Sequence, residues 1–169
     1  GFVGFIGLGL LRGWPATAAS AAQVVYDSGF AYTLTVVPLF ILMGNLINRA
    51  NLAHELYDAA NGFVGHFRGG LAMGTVVACG GFGAVCGSSL AVAATMSRVA
   101  MPSMRRYRYD DGLSAGAIAA GGTLGIMIPP SVILVLYGIM TEVDITQLFA
   151  AGVIPGLMAV VFYSAVVAL

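Results

Sequence analysis

Long apolar runs alternate with short polar links along this chain, and two of the runs contain an internal break. Gly1–Leu11 is apolar and ends at Arg12-Gly13-Trp14-Pro15. Ala16–Asp27 is small and mildly amphipathic, closed by Asp27-Ser28-Gly29. Phe30–Ile47 is apolar up to Asn48-Arg49 and predicts a helix of about 27 Å, near the thickness of a bilayer core. Pro38 predicts a kink in it. Leu52–Phe67 has a helical period: Leu52, Leu56, Ala59, Phe63 and Phe67 share one face, with His54, Asp58 and Asn61 opposite. That pattern suits a helix at an interface or against a neighbour, started by an Asn51 cap.

Gly70–Met104 is mostly apolar but breaks at Gly87-Ser88-Ser89. Each limb is then about 25 Å long, marginal for a full crossing. The break sits mid-run, where a hairpin tip would be. Gly87 predicts a left-handed end to the first limb, and Ser88 or Ser89 a cap for the second. Leu113–Met140 would span about 42 Å as one rod, so the Pro129-Pro130 pair predicts a broken helix. Asp144 with Gln147 predicts a capped start for the last span, Leu148–Leu169.

Composition fixes the class. Of 169 residues, 59% are hydrophobic and 8% charged. Soluble domains carry roughly 25% charge, so the chain reads as an integral membrane protein. Its formal net charge is zero, which points to no nucleic-acid partner. Every basic residue is Arg. Arg49, Arg68, Arg105, Arg106 and Arg108 fall in links on one side of the predicted topology and Arg12 on the other. The positive-inside rule puts the larger group in the cytoplasm. Both ends of Gly70–Met104 are then cytoplasmic, which fits a re-entrant hairpin; two complete crossings have the same parity. Gly1–Leu11 lacks a basic leader, and the chain reads as a piece of a longer one.

The chemistry lies in the two breaks. Prolines have no amide to give, so Pro129 and Pro130 strand the carbonyls of Gly125 and Ile126. Ile128 is pushed out of helical geometry. Gly121, Gly122 and Gly125 allow close backbone approach, and Thr123 and Ser131 add hydroxyls. The set is oxygen-rich and uncharged, suited to a hard monovalent cation. The half-helix beginning near Ser131 aims its positive end inward, where an anion could sit. The alternatives are a plain proline kink, and a plain turn at Gly87-Ser88-Ser89. Cys86 or Ser88 as the nucleophile of an intramembrane hydrolase needs a base in reach, and His54 and His66 flank the interfacial segment instead. A channel would need a repeated ring of ligands. Cys79 and Cys86 read as small buried residues. Arg98, near the end of the second limb, reads as snorkelling or paired.

A series of motifs then carries a resemblance. Val37-Pro38-Leu39-Phe40-Ile41-Leu42-Met43-Gly44, Arg68-Gly69-Gly70-Leu71-Ala72, Gly87-Ser88-Ser89, Met101-Pro102-Ser103-Met104, Ala115–Ile126 and Ile128-Pro129-Pro130-Ser131 follow one another in order. From about Phe30 onward the chain resembles the large membrane subunit of tripartite ATP-independent periplasmic (TRAP) transporters. The resemblance implies an all-α, multi-span bundle with a re-entrant hairpin and a Pro-broken helix, one half of an inverted-repeat, elevator-type transporter. It implies residues 1–69 as scaffold-like spans with an arm helix, 70–141 as the transport-domain hairpin and broken helix, and 142–169 as the next span. It implies no enzyme but a sodium-driven importer of organic acids such as C4-dicarboxylates or sialic acid. A small membrane subunit, a periplasmic solute-binding protein and the bacterial inner-membrane bilayer would be its partners. Carried onto this chain, sodium would involve Gly87, Ser88, Ser89, Gly122, Thr123, Gly125 and Ile126. Substrate would meet Ser88, Ser89, Pro130 and Ser131. Family members often carry Ser where this chain has Cys86, which matters only if that side chain is a ligand.

Overall fold

The computed structural model describes residues 2–29 and 36–169, and the regular structure of the described residues is all helical, without strands. The helices are α1 (Phe2–Arg12), α2 (Trp14–Gly29), α3 (Val36–Arg49), α4 (Leu52–Val64), α5 (Gly70–Cys86), α6 (Ser89–Arg106), α7 (Asp111–Met127), α8 (Val132–Thr141) and α9 (Ile145–Ala168). Two stretches, Asp111–Thr141 and Ile145–Ala168, are long and apolar enough to cross a membrane. The predicted span from Phe30 falls partly outside the described residues. So does the Pro38 kink, which concerns the carbonyl of residue 34.

Packing divides the chain into two compact units, 1–38 and 39–169. In the first, α1 and α2 form a helical pair joined at Gly13 (φ 85°), with Gly9 buried under the Trp14 ring. The second holds everything that bears on the breaks.

There, α5 and α6 form an antiparallel hairpin: the Thr75 hydroxyl near the start of α5 lies 3.9 Å from the Met104 sulfur near the end of α6. Helix α7 lies along both limbs. It runs parallel to α5, with Gly121 over Cys79 and Gly125 over Gly83, and antiparallel to α6, with Gly122 against Ala93. Glycine permits this closeness: a Cβ on Gly83 would stand 2.8 Å from the Gly125 Cα. Lipid is as apolar as leucine, so close packing of small residues, not hydrophobic exclusion, holds such helices together. Phe82, Met96, Met104 and Leu124 fill the remaining space and are fully buried. Helix α9 closes the far side. Its Gly152 and Gly156 sit against Met127 O and the Ile128 side chain, and Val160 meets Gly80.

The polar caps hold α7 and α9 in place. Asp110 Oδ1 accepts from the Gly112 and Leu113 amides at 2.8 and 3.1 Å. Asp144 Oδ1 accepts from Thr146 and Gln147 at 2.7 and 3.2 Å, as the sequence predicts for the last span. Arg105 and Asp111 pair across the exposed α6–α7 link at 2.8 Å. The hydrogen bond and charge of that guanidinium pull the Asp111 carboxyl below its ordinary range.

Helix α4 differs from its expectation in three ways. It ends at Val64 rather than Phe67. It turns Ala53, Tyr57 and Ala60 toward α5, with Asn61 over Gly74, so Asn61 is on the packed face and not opposite it. Phe63 and Phe67 are exposed. The reason is again the solvent: large apolar side chains can face lipid, while small residues and polar groups seek the protein. Asn51 does not cap α4 with its side chain; it adopts the left-handed conformation (φ 61°) that asparagine tolerates.

Candidate functional site

The two breaks meet. Helix α5 ends in the left-handed Gly87 (φ 65°), whose amide donates to Gly83 O at 2.9 Å. Ser88 then turns extended, and its Oγ accepts from the Ala91 amide at a long 3.5 Å while its carbonyl accepts from Val92 at 3.0 Å. Helix α7 ends with the Ile128 amide on Leu124 O at 2.9 Å, and Ile128 is extended as proline requires of its predecessor. The Pro129–Pro130 bond is cis. Ser131 caps α8, its Oγ accepting from Leu134 at 3.5 Å and its carbonyl from Val135 at 3.1 Å.

Across the gap, the Val132 amide donates to Gly87 O at 3.4 Å. A Cβ on Gly87 would stand 2.8 Å from Pro130 O, and one on Gly125 would stand 3.0 Å from Ser88 O. Thus a first-turn amide of α8 is satisfied by the hairpin tip. Neither tip nor break leaves room for a side chain at its glycine.

A cleft of about 400 Å³ opens beside this junction. Ser88, Ser89, Leu90 and Ala91 line one side, Ile126, Val132 and Ile133 another, and Phe40, Ile41, Gly44 and Asn45 of α3 form the third wall. Gly44 lies over Cys86, 3.5 Å from its sulfur to an added Cβ. Among the lining residues no carboxylate, Arg or His occurs. The polarity is that of hydroxyls, one amide side chain and peptide groups. Val132, Leu134, Ala91 and Val92 have partners for their amides. Those of Ser89, Leu90 and Ile133, in the first turns of α6 and α8, have none among the described residues. Helix starts with open amides carry partial positive charge.

The residues predicted for the site divide accordingly. Gly87, Ser88, Ser89, Gly125 and Ile126 come together at the junction. Gly122 is used for packing on Ala93. Thr123 is exposed on the other face of α7, donating to Ala120 O at 2.7 Å and lying 3.4 Å from the Tyr163 hydroxyl of α9. Its place on the helix, about 100° from Gly122, carries it away from the tip. Pro130 faces the tip through its carbonyl but does not line the cleft, and Ser131 is fully buried beneath it. Sequence reasoning missed the α3 wall and the Gly152/Gly156 pair. For the second a signal existed, since the two glycines are four apart in the last span.

The family model described as "Tripartite ATP-independent periplasmic transporter, DctM component" matches residues 2–169. The chain is 42% identical over 144 residues to the C4-dicarboxylate TRAP transporter large permease protein DctM of Pseudomonas aeruginosa, covering 85% of this chain and 34% of that protein. It is 38% identical over 138 residues to the sialic acid TRAP transporter large permease protein SiaM of Vibrio cholerae (82% and 32%). It is 34% identical over 161 residues to the ectoine/5-hydroxyectoine TRAP transporter large permease protein UehC of Ruegeria pomeroyi (95% and 38%). The chain spans about a third of the length of these curated relatives.

Proposed function

This chain belongs to the DctM component family of tripartite ATP-independent periplasmic transporters, and from that premise we propose that it supplies one hairpin and broken-helix pair of a sodium-coupled permease for organic acids. The observation that carries the reading is the junction itself, where the Val132 amide bonds Gly87 O across two interrupted helices. Irregular backbone at membrane depth persists where protein or a watery cavity satisfies it, and paired broken helices are how many secondary transporters build ion and substrate sites.

On this reading the coupling ion is held near Gly87, Ser88, Ser89, Gly125 and Ile126. The carbonyls of Gly125 and Ile126 have no proline amide to receive and suit a hard cation. Gly122 supports this set by packing, and Thr123 stands outside it. The acid faces Ser88 and Ser89 across the cleft, while Pro130 and Ser131 hold the tip from behind. The hairpin is re-entrant, and residues 70–141 move as a transport domain against scaffold residues 1–69. The relatives' names span C4-dicarboxylates, sialic acid and ectoine. The chain's own substrate is an organic acid brought by a periplasmic binding protein, with a small membrane subunit alongside, in the bacterial inner membrane.

The test is uptake by the complete permease, reconstituted with its small subunit and binding protein. An inward sodium gradient is expected to drive accumulation, and an equal potassium gradient is not. Uptake driven by protons and indifferent to sodium removes the ion assignment. Ion current without the binding protein points to a channel.

A further inference from the structure

Asn45 is the sole polar residue between Val36 and Ile47 of α3. A lone amide in an apolar membrane segment is costly toward lipid, and such groups face the protein interior or a wet cavity. Here it lines the cleft opposite Ser88 and Ser89. Its side chain has no hydrogen-bond partner among the described residues, and it is solvent-accessible. One turn of the same wall is fixed, because Gly44 is buried against Cys86. The backbone that carries the amide is therefore packed against the end of α5.

Most of the polar groups facing it can donate. Ser89, Leu90 and Ile133 offer peptide N–H groups, Ser88 and Ser89 offer hydroxyls, and Asn45 offers an NH₂. Donors from three helices, with no carboxylate in the lining, suit the oxygens of an anion, while the open carbonyls of Gly125 and Ile126 remain for the cation. The cleft volume accommodates a small organic molecule.

We propose that Asn45 is a substrate-contacting residue, its side-chain amide donating to a carboxylate that the open amides of Ser89, Leu90 and Ile133 hold from the other side. This rests on the transport reading and adds to it a specificity residue on the α3 wall. Because every donor is neutral, the contact is directional: it rewards a carboxylate of the right reach and leaves the ion site alone.

The experiment measures initial uptake by the complete permease in proteoliposomes, with its small subunit and binding protein, normalised to reconstituted protein. The probes are the organic acid bound by the partner binding protein, and sodium. Asn45→Leu is expected to raise the substrate KM at least tenfold with the maximal rate within about threefold. Asn45→Asp is expected to raise it further, since one carboxylate then opposes another. Asn45→Gln, which keeps the amide, falls between wild type and Asn45→Leu. Ser97→Ala, half-buried on α6 away from the cleft, stays at the wild-type value. Unchanged KM in Asn45→Leu and Asn45→Asp overturns the proposal, as does a change in sodium half-saturation alone or a loss of maximal rate alone. Should the leucine variant fail to insert, the aspartate and glutamine pair decides by the same criteria. A wild-type permease that does not transport defeats the transport reading instead, which keeps the two failures apart.

Discussion

The hairpin tip and the proline break solve the same problem with different residues. Both restart a helix identically: Ser88 (φ −138°, ψ 119°) and Ser131 (φ −128°, ψ 129°) are extended caps, each taking the amide three residues ahead at 3.5 Å. They differ in how the preceding helix stops. At the tip, Gly87 curls into the left-handed region and gives its amide back to Gly83 O. At the break, two prolines have nothing to give, and the carbonyls of Gly125 and Ile126 stay open. A glycine stop reverses the chain and settles one of its carbonyls; a proline stop lets the chain go on and leaves acceptors behind. Two gaps of one architecture are thus chemically unlike, and their meeting places acceptors beside open amides.

The largest expected effect comes from forcing the gaps apart. Gly83→Val places a branched side chain where a Cβ alone already meets the Gly125 backbone at 2.8 Å. Overpacking of this kind costs about 1–3 kcal/mol or more. Uptake by the complete permease is expected to fall at least tenfold, while Gly116→Val, with open space around it, keeps most of it. Equal activity of the two variants, at matched membrane abundance, breaks the account of the junction.

A smaller effect tests whether the two caps are equivalent. Ser88→Ala and Ser131→Ala each remove one long hydrogen bond, and each is expected to cost about 0.5–1 kcal/mol of stability. The loss at Ser131 is the larger because that side chain is fully buried and its site cannot admit water in exchange. Thermal unfolding of the detergent-solubilised permease reads both; a larger loss at Ser88 reverses the ranking.

The smallest concerns the Arg105–Asp111 pair, which joins α6 to α7 away from both gaps. Asp111 titrates below its unfolded value because of Arg105. Its contribution is therefore complete above the unfolded carboxylate pKa of about 3.9 and fades as pH falls through the lower folded value. Both partners are exposed, so Asp111→Asn is expected to lower the unfolding midpoint only slightly at pH 7, with the difference vanishing in acid.

Which of these features could be read beforehand follows from how local their causes are. Gly87, Asp144 and the Pro129-Pro130 pair act on their own backbone, so the tip, the Asp144 cap and the break follow from the sequence directly, while the choice of Ser88 over Ser89 as the cap of α6 does not. Asn51 belongs to the same kind of signal but misleads, because an asparagine before a helix can cap it or adopt a left-handed turn, and only the backbone distinguishes the two. The packed face of α4 is harder. In water Phe63 and Phe67 would mark the inside; in lipid they mark nothing, and Tyr57 and Asn61 are the better guides. Thr123 shares a glycine-rich stretch with the site residues yet points at Tyr163, since adjacency in a helix is divergence in space. Asn45 lies some forty residues before the tip, and nothing in its own surroundings announces what it faces.

The seam where Gly83 crosses Gly125 contains no side chain on either helix. Peptide planes touch with nothing soft between them, as two bare rails would. A nudge to the hairpin tip therefore has no cushion to absorb it and reaches the proline turn undiminished. A displacement at either gap would be passed to the other through rigid backbone contact, about one turn of helix away.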